Sequence, residues 1–266
     1  MHVVVKDVSF SYVEGIKVLK GINVDIDNQS VAIIGQNGAG KTTFIKLLNN
    51  MLPLSSGEIL IDGLSVSSKP LNEWSKSIGF VFQNPKDQLF NETVFKEIEF
   101  GLLHQVRDAK QREEKVKQIA AKVGIEHLLE EHPLEIPFSQ QKLVTLGTAL
   151  VNDPQLVLLD EPTANQDWLE VEHFMNVISN LQQQGIQFIT ISHDMNFVTN
   201  TFNRILIFGQ GQLLSDTANF EAFDDQTVLA QSHIVAPPVV QVAKQMKMKG
   251  TPLNLNEFER ELIAEL

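Results

Sequence analysis

Residues 35–43 read GQNGAGKTT, set between the apolar run SVAIIG that ends at Gly35 and the helically spaced run TTFIKLLNNML. A short buried strand, a glycine-rich turn and a helix start form the context in which this spacing holds phosphate. Gly35, Gly38 and Gly40 let successive backbone N–H groups converge on phosphate oxygens, with Gln36, Asn37 and Ala39 completing the turn. Lys41 is placed to neutralise β- and γ-phosphates, Thr42 offers a hydroxyl to Mg²⁺, and Thr43 continues into a helix whose N-terminal dipole favours anions. The stretch sets the fold class as α/β with a phosphate loop between strand and helix.

Outward from it, VVVKDVSFSYV and INVDI alternate apolar and polar residues, and so predict an N-terminal antiparallel β part. The helix after the loop is expected to run until Pro53, and GEILIDG to form another strand. Residues from about 84 to 142 change to charged, helix-favouring sequence such as DAKQREEKVKQIAAKVG, which reads as a helical insertion. Then LVLLD, WLEVEHFMNVISNLQQQG, FITIS, a helix from Asp194 and RILIFGQGQLL alternate strand with helix, as parallel strands with helices packed on them do. Residues 1–232 are expected to form the nucleotide-binding domain. Residues 233–266, which include Pro237 and Pro238, are expected to form a helical C-terminal extension with Phe258, Leu262 and Leu266 on one stripe.

The 266 residues are 43% hydrophobic and 20% charged, an ordinary globular balance. With no cysteine, neither a disulfide framework nor a thiolate metal site is available. The N-terminus MHVVVKDVSFSY lacks the features of a signal peptide, and no apolar run approaches the roughly 18 residues of a membrane helix, which points to a cytoplasmic location. A net charge of -12 argues against nucleic acid as a partner, since phosphate backbones need a basic stripe.

The apolar strand LVLLD ends in Asp160, a carboxylate suited to the Mg²⁺ shell, and Glu161 next to it is suited to polarise an attacking water. With the phosphate loop and several ordered motifs over nearly the whole length, the chain resembles the ATPase subunit of an ABC transporter. That resemblance implies ATP and Mg²⁺ as cofactors and assigns further roles. Tyr12 in VSFSY falls where the family stacks an aromatic on adenine. Gln83 in FVFQNP falls at the glutamine that touches Mg²⁺ and senses a membrane subunit. Asp167 in TANQD falls at the loop crossing the dimer interface, and His193 in ISHD at the switch histidine that reaches the γ-phosphate. Taken singly, Tyr12 also fits a half-buried strand aromatic, Gln83 a surface turn, Asp167 a helix cap and His193 a core histidine.

The run NPKDQLFNETVFKEIEFGL after Gln83 resembles the energy-coupling factor (ECF) branch, importers of vitamins and transition metals, and so does the tail APPVVQVAKQMKMKGTPL. This implies a transmembrane coupling subunit, a substrate-binding membrane subunit and a peripheral position on the cytoplasmic face of the membrane. Asp87, Glu92, Glu97 and Glu99 are candidates to meet an arginine of the membrane partner.

ABC ATPases pair head to tail, each nucleotide lying between one chain's phosphate loop and the other's LSGGQ signature. Counted back from Asp160 without gaps, the signature here is degenerate: Ile136, Pro137, Phe138, Ser139 and Gln140. Proline has neither hydroxyl nor N–H, and phenylalanine is bulky where the backbone must approach phosphate. A second alignment sets Ser139 on the signature serine and deletes the glycine pair; the ungapped one keeps the family's spacing to Asp160. The expectation is a heterodimer with a second ABC ATPase whose signature is intact. A soluble ABC protein without a transport role, or a largely non-hydrolytic ATP-binding scaffold, are the competing readings.

Overall fold

The computed structural model describes residues 1–219, 221–248 and 250–265, so Leu266 of the expected terminal stripe lies outside the described residues. In chain order its elements begin with β1 (Val3–Val13), β2 (Ile16–Ile26), β3 (Val31–Gly35), α1 (Lys41–Leu48), β4 (Ser56–Ile61) and β5 (Leu64–Ser65). Then come α2 (Leu71–Trp74), β6 (Ile78–Val81), α3 (Val94–Phe100), α4 (Ala109–Val123), α5 (Phe138–Leu150), β7 (Leu156–Asp160), α6 (Trp168–Gln183) and β8 (Gln187–Ile191). The last are α7 (Met195–Thr201), β9 (Arg204–Gly209), β10 (Gln212–Ala218), α8 (Gln226–Ser232), α9 (Pro238–Met246) and α10 (Leu255–Glu265). The chain divides into two compact units, Met1–Ser68 with Ile191–Leu266, and Lys69–Thr190.

In the first unit the predicted antiparallel part is an open sheet of order β2-β1-β4-β5. β1 is central because Val3, Val5, Val8 and Phe10 bury one face while its edges pair with β2 and β4. β3 is apolar throughout and fully buried, and it pairs in parallel with β9. β9 returns through Gln210 and Gly211, both at positive φ, into antiparallel β10, the tight hairpin turn whose twist matches the strands. α1 stops before Pro53, the expected end, because Asn50 adopts a left-handed conformation with φ 60°. Asp194 and Asp225 cap α7 and α8 with their side chains.

In the second unit β6 and β7 run parallel, with Val81 opposite Leu159, and β8 lies on the far side of β7. α3, α4 and α5 pack on one another. Thr93 caps α3, Asp108 caps α4, and Gly124 ends α4 in the left-handed conformation that glycine adopts freely. α5 continues past residue 142, where the sequence placed the end of the insertion, because Leu143, Val144, Leu146 and Leu150 extend its buried face. Among the described residues no helix is long and apolar enough to cross a membrane.

Candidate active site

The phosphate loop is shaped by two glycines that nothing else could replace. Gly35, at φ 150°, would bring an added Cβ within 2.2 Å of the Phe208 carbonyl oxygen, and Gly40, at φ 95°, within 2.6 Å of Leu19 Cδ2. Between them Gly38 also lies at positive φ, the Gln36 N–H donates to Ser232 O at 3.1 Å, and the Ala39 N–H donates to Gln36 O at 3.2 Å. Asn37 sits at the tip of the same turn. The Lys41 ammonium is buried in the concavity, donating to Gly35 O at 2.6 Å and Gln36 O at 3.1 Å, with His193 Nε2 3.3 Å away. Burial, and then the charge of Lys41, pull the His193 pKa below the ordinary histidine range, so its ring is neutral at neutral pH.

The Tyr12 ring is 59% exposed, stands edge-on to Phe10 at 4.8 Å, and bonds the Thr43 hydroxyl at 3.1 Å through its own. That leaves a free aromatic face next to the start of α1, as base stacking requires. A glycine-walled turn, a helix N-terminus and a buried ammonium in one concavity fit a nucleotide triphosphate. Thr42 in the first unit carries a hydroxyl and Asp160 in the second a carboxylate, each an oxygen donor of the kind Mg²⁺ takes.

In the second unit β7 is buried to its end at Asp160, and Glu161 then turns into the left-handed region with φ 48°. A non-glycine residue held there is strained, a state found where geometry serves chemistry. Gln83 is exposed two residues beyond β6. Beside them lies a residue that the sequence reading passed over: Lys142 of α5, fully buried, whose ammonium donates to the main-chain oxygens of Gln83 and Glu161. Burial lowers its pKa to about 8, and the carboxylates of Asp160 and Glu161 oppose that fall. Its signal in the sequence was a single charge in the otherwise apolar run KLVTLGTAL.

Pro137 occupies the N-cap of α5 with no side-chain cap, and Phe138 lays its ring 5.6 Å from the Lys142 ammonium. The Ser139 hydroxyl donates to Glu170 Oε1 at 2.6 Å. Glu170 also accepts the Asp167 N–H through Oε2 at 3.0 Å, while the Asp167 carboxylate accepts the Glu170 N–H at 2.9 Å, a closed capping box at the head of α6. Gln140 and Pro137 line a cavity of about 370 Å³ that reaches His127 and His173.

The loop after Gln83 is pinned from within. Gln88 accepts the Phe82 N–H at 3.2 Å and donates to Thr145 O at 3.0 Å and Thr148 Oγ1 at 2.7 Å, and Asn84 caps the turn that follows it. Of the four acids expected to face a membrane partner, Glu97 is buried and accepts the N–H groups of Phe90 at 2.9 Å and Asn91 at 2.7 Å. Glu99 pairs with Arg112 at 2.7 Å and Glu92 with Lys96 at 2.6 Å. Glu97 and Glu99 serve the chain's own structure, while Glu92 and Asp87 stay exposed.

A family model described as ABC transporter matches residues 19–164. An energy-coupling factor transporter ATP-binding protein of Oenococcus oeni is 32% identical over 277 residues, covering 100% of this chain and 96% of the relative. One of Methanocaldococcus jannaschii is 32% identical over 247 residues, covering 92% and 88%. The solved structure of CbiO1 from Clostridium perfringens, part of an ABC transporter complex, matches with a TM-score of 0.79 at 30% identity, over 92% of this chain and 98% of that one. Alignment of this extent joins what the phosphate loop and the β7 carboxylates already indicated: the chain belongs to the ABC transporter family, as one of its ATP-binding and ATP-hydrolysing subunits.

Proposed function

We propose that this chain energises an ECF-type importer of vitamins or transition-metal ions, at the cytoplasmic face of the membrane, as one half of an unlike ATPase pair. In that pair its own phosphate loop forms the competent site and its degenerate signature faces the other nucleotide. Lys41 neutralises the phosphates, Glu161 polarises the attacking water and His193 contacts the γ-phosphate. Tyr12 stacks on the base, and Thr42, Gln83 and Asp160 would hold Mg²⁺. When bound, Mg²⁺ would neutralise charge on the phosphates.

The bond from Ser139 to Glu170 carries this reading. Where a working signature offers hydroxyl and N–H donors to a γ-phosphate, this one presents a proline and a hydroxyl already given to a carboxylate. That removes the one donor the alternative alignment would have kept, and it adds a negative charge beside the approaching phosphate. Each lost hydrogen bond to a charged group is worth about 1.5–3 kcal/mol, and loss of one transition-state donor costs about 10²–10³ in rate. A homodimer would hold two such silenced sites, so a partner ATPase with an intact signature is required.

Three features of the chain fit a membrane partner of this kind. Gln83 and Asp87 are exposed, and beyond them Phe90 and Phe100 form an edge-on pair at 4.9 Å although 66% and 49% exposed. A transmembrane coupling subunit would cover that pair, while a separate membrane subunit binds the cargo. Residues 233–266 serve the pairing of the two ATPases, with Val242 and Met246 of α9 exposed for it.

In the assembled complex, Glu161→Gln is expected to abolish most ATP turnover. Retained turnover, lost only when the partner's matching glutamate is changed, would overturn the assignment of the competent site.

A further inference from the structure

Lys142 has no part in the chemistry assigned above, yet the fold accepts a fully buried ammonium to keep it. A buried cation is costly unless its donors are satisfied and a counter-charge is near. Here the main-chain oxygens of Gln83 and Glu161 accept from it, the latter at 3.2 Å, the Phe138 ring lies 5.6 Å away, and the charges of Asp160 and Glu161 act on it.

The register of the sheet gives those two carbonyls their meaning. β6 and β7 pair in parallel up to Val81 and Leu159. Gln83 and Glu161 each lie two residues beyond that last matched pair, where the strand ladder has ended. One chain leads from there into the loop carrying Gln83 and Asp87, the other into the strained turn that presents the Glu161 carboxylate. There a side chain from α5, that of Lys142, joins the two backbones.

We propose that Lys142 is a positioning residue for ATP hydrolysis, clamping the backbone at Gln83 to the backbone at Glu161, so that the glutamine loop and the water-polarising carboxylate move as one body. This rests on the reading of Glu161 given above. The ammonium acts through main-chain oxygens. Its length sets the spacing, and α5, anchored through Gln88 to the start of the same loop, supplies a fixed point.

The test compares Lys142→Met, which keeps the length without donors, with Lys142→Arg, which keeps charge and donors, each in the complex assembled with partner ATPase and membrane subunits. The Met variant should keep its KM for ATP within about threefold, while its melting temperature falls by no more than the loss of two buried hydrogen bonds and a counter-charge implies. Its kcat should fall about 10²-fold, the scale of a misplaced reacting group, and the Arg variant should recover at least about tenfold of that. Hydrogen exchange of the nucleotide-free protein should quicken in residues 82–84 and 161–164 of the Met variant and not elsewhere in the second unit. Unchanged kcat with unchanged exchange, or a loss of KM, melting temperature and kcat together that Arg does not restore, would overturn the proposal. Glu161→Gln, run alongside, separates the two ideas. If that variant turns over ATP normally the Glu161 reading fails, while localised exchange in the Met variant still supports the clamp.

Discussion

At the phosphate loop, Lys41 and His193 lie 3.3 Å apart, and their charge states are bound together. The Lys41 charge is one of two causes, after burial, that keep the His193 ring from protonating. Lys41→Met removes that charge and leaves the burial, so the His193 pKa should rise towards the ordinary histidine value of about 6.5. A titration of its ring signals by NMR in the nucleotide-free protein checks this, with wild type titrating at the lower pH. Gly35, Gly40 and Lys41 of this loop were legible in the sequence because their places restrict the residue type: glycine where a Cβ would clash, lysine for the charge. Glu161 was legible as a carboxylate but not as a strained one, since glutamate carries no sign that its backbone will be left-handed. Lys142 was missed because a charge inside an apolar helical run reads as a break in the pattern until its two acceptors, 59 and 19 residues away, are placed beside it.

α5 and α6 show how an element can keep its shape while changing what its end offers. Proline at the N-cap of α5 leaves the helix intact, because the first-turn N–H groups have no partner within the helix in any case. The sequence therefore announced both the helix and its altered end. What it could not show was the Glu170 carboxylate that engages Ser139, since the two residues are 31 positions apart and meet only when the heads of α5 and α6 come together. Asp167 turned out to fill the capping role that its position before a helix also allowed, with both halves of a capping box in place. Replacing Pro137→Ser, Phe138→Gly and Ser139→Gly together should restore the donors. In a Glu161→Gln background, where the chain's own site is silent, turnover at the partner's nucleotide is expected to rise at least about tenfold, given about 10²–10³ per transition-state donor. A phosphate-release assay on the assembled pair reads this directly, and no gain would mean that something other than the missing donors limits that site.

For the whole molecule, the α/β class and the antiparallel part were legible in the sequence pattern, while the observed division rests on contacts distant in sequence that no local pattern encodes. The second unit, Lys69–Thr190, gathers β6, β7 and β8 with the helices that the sequence had set apart as an insertion. On that unit, the exposed pair Phe90 and Phe100 is the surface whose loss should matter most to assembly. Phe90→Ala with Phe100→Ala should lower recovery of the membrane subunit on co-purification about tenfold or more, without changing the fold, as expected of aromatic anchors at an interface. Unaltered recovery would place the membrane contact elsewhere. One bond within the first unit reaches further. Gln36 of the phosphate loop donates to Ser232, the last residue before the extension that we assign to pairing. Where pairing through that extension shifts Ser232, nucleotide affinity and protomer association become linked equilibria: whatever factor pairing adds to the affinity for ATP, ATP must add to pairing. A chain cut after residue 232 keeps the bond and every phosphate-binding residue, and loses only that linkage.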